Sequence, residues 1–112
     1  MLFFDNQQVP WTDLGGGLRR KIVGHTPQVM SVLMEFDAGT VGTPHAHDVH
    51  DQIAFVVAGS FEAELDGQRK VLRAGDAFIA AHGCVHGVRA LEANSRLLDQ
   101  FSPRRDDYLP SA

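Results

Sequence analysis

No helical period persists anywhere in this chain. Short apolar runs are broken by Gly, Asp, Asn and Pro throughout, and the breaks recur about every 8–12 residues, the spacing of strands in a sandwich or barrel. The expectation is an all-β fold of roughly nine or ten short strands. The clearest is Val29–Asp37, where Met30, Val32, Met34 and Phe36 share one face and Ser31, Glu35 and Asp37 the other. Asp51–Ala58 is apolar on both faces and reads as a strand between two packed layers. Phe61–Leu65 and Gln68–Leu72 flank Asp66-Gly67, a strong hairpin signal. Leu18–Val23, Ala77–Ala80, Val85–Ala90 and Arg96–Phe101 complete the pattern, with an initial strand expected at residues 3–4. Ser102-Pro103 ends the strands, and Arg104–Ala112 reads as a polar tail.

At 112 residues the chain has room for one core, so residues 1–112 are read as a single domain with a barrel core at about 28–101. A net charge of −4 leaves no electrostatic footprint for nucleic acid. The basic run Arg19-Arg20-Lys21 is read as a solvated face. The lone Cys84 excludes an internal disulfide and a multi-cysteine zinc site, and is read as a structural turn residue. Leu2-Phe3-Phe4 is too short for a signal peptide or a membrane span, so a cytoplasmic setting and no membrane partner are expected.

The chemistry concentrates in Gly39–Gly59. His45 and His47 are one residue apart, and alternate residues of an extended segment point to the same side, so both can reach one metal ion. A second cluster holds Gly75, His82, Gly83 and His86, separated from Gly59 by one hairpin.

These spacings resemble the cupin superfamily. Gly39, five residues, His45-x-His47, four residues, Gln52, six residues and Gly59 follow its first motif. Gly75, Gly83 and His86 follow the second, with Ala81 in place of its proline and Ala90 in place of its asparagine. The resemblance implies a double-stranded β-helix, the jelly-roll barrel. It also implies a divalent metal ion held by His45, His47, Gln52 and His86. Nickel, zinc, iron, cobalt and manganese all accept three nitrogens and one oxygen. Many cupins place glutamate at position 52. The neutral amide of Gln52 leaves the metal its full charge and favours polarisation of a substrate oxygen over oxygen chemistry. His25, His50 and His82 fall outside the pattern and are read as structural or pocket-lining, with His50, in the loop between ligands, as the candidate exception.

Leu97, Asp99 and Phe101 share one strand face. If that face looks inward, Asp99 is a carboxyl group among apolar neighbours beside a cation, suited to acid–base work. Arg105 would reach back over the barrel mouth, where a guanidinium can grip a substrate carboxylate bidentately. His-x-His, Gln, His and a late Asp-x-Phe-Ser-Pro-x-Arg together resemble the KdgF group of small cupins. That group opens 4,5-unsaturated uronates, released by pectate and alginate lyases, toward the linear keto form. The resemblance implies Asp99, Phe101 and Arg105 as catalytic-pocket residues and a small sugar acid as substrate. Two rival readings remain: a metal-dependent cupin dioxygenase and a non-catalytic sugar-binding cupin. A homodimer is expected, pairing through Leu2-Phe3-Phe4 or the Val29–Asp37 strand, with Trp11 in a packing role.

Overall fold

The computed structural model describes residues 3–110, which form ten strands in two antiparallel sheets and one turn of 3-10 helix at Asp106–Tyr108. The strands are β1 (Thr12–Gly15), β2 (Leu18–Thr26), β3 (Val29–Phe36), β4 (Val41–His45), β5 (Asp51–Ala58), β6 (Ser60–Leu65), β7 (Gln68–Arg73), β8 (Ala77–Ala80), β9 (His86–Ala90) and β10 (Ser95–Ser102). The larger sheet runs β1-β2-β3-β10-β5-β8 and the smaller β4-β9-β6-β7. This is the expected jelly roll, in which strands distant in sequence lie side by side: β10 pairs with both β3 and β5.

Alternation decides which side chains fill the space between the sheets. Met30, Val32, Met34 and Phe36 from β3 point inward, as do Ala54 and Val56 from β5 and Leu97 and Phe101 from β10. They meet Phe61 and Ala63 of β6 and Ala90 of β9, with Phe36 and Phe61 packed edge to face at 5.0 Å. Asp66 and Gly67 both have positive φ, 48° and 84°, the left-handed turn that a two-residue hairpin requires.

Several expectations give way. Residues 3–4 form no strand, Phe3 is solvent-exposed, and Leu2 lies outside the described residues. The first strand is Thr12–Gly15, paired with β2. Strand β5 is covered on one face only. Gln52, Ala54 and Val56 are buried while Ile53, Phe55 and Val57 are each at least 40% exposed. Strand β8 behaves likewise, with Ile79 exposed. An apolar run on both faces therefore overstated burial, because β5 and β8 have a sheet on their inner side alone. Strand β3 pairs on both edges, with β2 and β10, so it offers no free edge to a second copy.

The basic run is no solvated face either. Pairing with β3 turns Arg19 outward onto Glu35 at 2.6 Å, and Arg96 reaches the same carboxylate at 2.6 Å. Lys21 is buried, donating to the Asn6 carbonyl at 2.8 Å and lying 4.6 Å from the centre of the Trp11 ring. Trp11 takes the packing role expected of it. Arg20 faces the other way, over the Tyr108 ring. The tail is structured as well: Tyr108 and Leu109 pack against the core, drawing residues 104–109 back to the barrel. Ser111 and Ala112 lie outside the described residues. Among the described residues no helix is long and apolar enough to cross a membrane.

Candidate metal centre and its cavity

One end of the barrel collects polar groups from both sheets. Across the smaller sheet, His45 at the end of β4 stands directly opposite His86 at the start of β9. Across the larger, Gln52 of β5 stands opposite Phe101 of β10, and Asp99 precedes Phe101 by two residues on the same inward face. Strand β4 ends at His45, so His47 projects from the following loop. That loop is fastened where the Gly83 N–H donates to the His47 carbonyl at 2.8 Å.

The ligand nitrogens of His45, His47 and His86 all lie within 4.8 Å of one another. Two of the rings are aimed by the backbone: His45 Nδ1 lies 2.8 Å from the Thr43 carbonyl and His86 Nδ1 3.0 Å from the Cys84 carbonyl. Donating from Nδ1 leaves each Nε2 lone pair free for a metal, as outer-shell partners of ligating histidines do. His86 Nε2 is buried without any hydrogen-bond partner, an arrangement that costs stability unless something else takes that lone pair. Gln52 Oε1 lies 3.1 Å from His47 Nε2, the separation of two donors on one coordination sphere. Burial, then the nearby Arg105 charge, lowers His47 to a pKa of about 4, against a hydrogen bond with Gln52. Burial also lowers His86. Both imidazoles are neutral at pH 7, the state that ligates metal. The donor set fits a divalent cation, and the structure brings all four expected ligands together.

Asp99, Phe101 and Arg105 also converge here. A cavity of about 240 Å³ is lined by His45, Gln52, His86, Asp99, Phe101 and Tyr108, with Met34 and Leu97 on its apolar side. Asp99 Oδ1 is shut off from solvent and has no hydrogen-bond partner. Desolvation raises the Asp99 pKa from 3.8 to about 7, against the opposing pull of Gln52 and Arg105. Arg105 lies over the Phe101 ring at 5.1 Å and the Tyr108 ring at 4.2 Å, with Nη1 3.5 Å from His47 Nδ1. Its Nε and Nη2 donate to the two Asp107 carboxylate oxygens at 2.9 and 2.7 Å. A bidentate grip on a substrate through that edge is therefore closed, and the other edge is the one available.

Of the remaining histidines, His50 packs edge-on against His47 at 6.1 Å and Phe101 at 6.4 Å, outside the ligand triad but beside it. His50 Nε2 contacts the Arg104 carbonyl at 3.2 Å, which ties the ligand loop to the C-terminal segment. His82 pairs with Asp51 at 2.9 Å, and His25 lies near Arg104. Cys84 sits in a turn closed onto the Ala81 carbonyl, with its thiol pKa raised by desolvation and by Asp66. Tyr108, Asp107 and Arg20 were missed by sequence reasoning. The signal for Arg20 was present, since Leu18, Arg20 and Ile22 alternate onto one face. For Tyr108 it was weak: a single aromatic in a charged segment.

Two facing sheets with a histidine cluster at the barrel mouth that could hold a metal ion define a cupin-type barrel. The model of the cupin domain matches residues 32–100, and the chain belongs to the cupin family. Within that family it is 47% identical over 107 residues to the pectin degradation protein KdgF of Dickeya dadantii (strain 3937), a match covering 96% of this chain and 97% of that one. The solved structure of KdgF from Halomonas sp. superposes with a TM-score of 0.95 at 54% identity, covering 96% and 97% of the two chains. An RmlC-like cupin from Shewanella frigidimarina NCIMB 400 superposes at 0.92 with 38% identity, covering 97% and 96%.

Proposed function

We propose that this protein is a metal-dependent isomerase that converts 4,5-unsaturated uronates from pectin or alginate breakdown to their linear keto form. The observation that carries the proposal is Asp99. Its carboxyl group, raised by desolvation to a pKa of about 7, lines the same cavity as His45 and His86, two of the three clustered histidines. Similarity to the pectin degradation protein KdgF over nearly the whole chain supports the same reading. The cavity, about 240 Å³, is smaller than the roughly 300–1,000 Å³ of pockets for drug-sized ligands and suits one sugar ring.

His45, His47, Gln52 and His86 would hold a divalent cation, whose chemistry there is Lewis-acid polarisation of a substrate oxygen. The rest falls to the chain's own groups. Arg105 presents its free edge to the substrate carboxylate and so fixes the ring relative to Asp99. In the reaction the anomeric hydroxyl loses its proton, the bond from C1 to the ring oxygen breaks, and C1 becomes the aldehyde. The former ring oxygen is left on C5 as an enol, and a proton added at C4 makes C4 a methylene and C5 a ketone. Atoms balance, because one proton leaves oxygen and one arrives at carbon. A buried carboxyl group beside the substrate can perform both transfers, accepting the proton that leaves oxygen and delivering one to carbon. Phe101 walls the cavity and packs against His47 at 5.7 Å, excluding water from one side.

The test is to incubate metal-loaded protein with lyase-generated unsaturated galacturonate and mannuronate and follow loss of the conjugated-alkene absorbance. Decay faster than in a protein-free control, abolished by Asp99→Ala with metal retained, is expected. Near-normal turnover by that variant overturns the assignment of Asp99. Oxygen uptake or tight binding without turnover overturns the reaction class.

A further inference from the structure

A free arginine side chain samples many rotamers, so Arg105 grips a ligand at lower entropic cost when something fixes it. Here the fixing is visible. Asp107 takes Nε and one Nη2 proton in a two-point fork, at 2.9 and 2.7 Å. The rings of Phe101 and Tyr108, at 5.1 and 4.2 Å, set the plane of the guanidinium. Tyr108 is in turn covered by the Arg20 guanidinium at 4.1 Å. Asp107 lies in the single 3-10 turn Asp106–Tyr108, where the Tyr108 N–H donates to the Arg105 carbonyl at 3.1 Å. The clamp and the group it clamps therefore belong to one short closed segment. Asp106, its neighbour, turns instead to Arg104 at 2.7 Å and takes no part.

We infer that Asp107 is a positioning residue: it occupies the side edge of Arg105 so that the Nη1 edge is held toward the histidine cluster, ready for an anionic substrate. This rests on the proposed action on uronates, and it makes a prediction that a general electrostatic role reverses. Asp107 is a negative charge near the position of an anionic ligand. If charge alone mattered, its removal would tighten substrate binding and lower KM. If positioning matters, removal frees the arginine, and the substrate must order that side chain itself.

Two readouts on the metal-loaded protein test this. Asp107→Ala raises KM for unsaturated galacturonate roughly three- to tenfold, the equivalent of immobilising one long side chain, with kcat within about twofold. Asp107→Asn, which keeps one acceptor, falls between it and the native protein, and Asp106→Ala matches the native protein. Without substrate, the Nε–H signal of Arg105 in 15N NMR, assigned by its loss in Arg105→Lys, exchanges slowly in the native protein and joins the solvent-exposed arginines in Asp107→Ala. A lower KM in Asp107→Ala, or an unchanged Arg105 signal, overturns the inference. If the native protein shows no turnover, the uronate reading fails while the NMR comparison still decides whether Asp107 holds Arg105.

Discussion

Replacing Asp99 with asparagine keeps shape and removes the titration, so its effect on stability can be worked out from the site. In the metal-free fold, desolvation raises the carboxyl pKa from 3.8 to about 7. The folded state therefore binds this proton more tightly than the unfolded chain. Between those two values the native protein loses stability as pH rises, and above the upper one the loss is complete. About three units at 1.36 kcal/mol each amount to about 4 kcal/mol. Water reaching the cavity screens part of this, leaving about 2–4 kcal/mol. Asp99→Asn carries no such term, so the chelated variant should be more stable than the chelated native protein at pH 8. The difference should shrink as pH falls and become flat below about pH 4. Histidine titration is common to both proteins and cancels in the difference. Urea unfolding of the two at half-unit pH steps measures it. A difference that is constant across the range, or that grows toward acid, would refute the account of Asp99.

Other consequences can be checked directly. His86→Ala removes a ligand whose Nε2 has no other partner, and should lower metal affinity by more than about 100-fold by competition with a chelator. Gly87→Ala would place a Cβ 2.9 Å from Pro44 Cγ and 3.0 Å from the Gly42 carbonyl oxygen. It should therefore force β4 from β9, separate His45 from His86 and weaken metal binding, read by the same competition. Glu35→Gln breaks contacts to Arg19 and Arg96, and should cost about 1–3 kcal/mol in urea unfolding, since both guanidiniums keep some access to water. Gly59→Ala combines a φ of +72° with a Cβ 2.1 Å from Ser95 Oγ and 2.8 Å from its Cα. Its soluble yield should collapse, or its melting temperature fall by well over 10 °C.

Much of this fold is legible in the sequence because β-structure writes itself in period two. The inner set Met30, Val32, Met34 and Phe36 comes straight from alternation, and Asp66-Gly67 marks its hairpin by requiring positive φ twice. The ligands are legible for a similar reason, since spacing along strands and tight loops fixes reach. What alternation cannot show is what lies over the far face of a strand. Ile53, Phe55 and Val57 read as buried and are exposed, whereas Lys21 and Glu35 read as solvated and are buried under partners distant in sequence. The C-terminal segment was legible only in part: Arg105 is expected over the barrel mouth, but a polar tail gives no sign of the Arg105–Asp107 pairing or the packing of Tyr108. Charge composition alone cannot separate a paired segment from a free one.

The most direct test of the central claim is to run the reaction in D2O and examine the keto product by NMR. The claim is that Asp99, from one wall of the cavity, delivers the proton to C4. It predicts that metal-loaded protein accelerates product formation and places deuterium on a single face of C4, while the uncatalysed reaction labels both faces. Accelerated product with both faces labelled equally, or no acceleration at all, would contradict it.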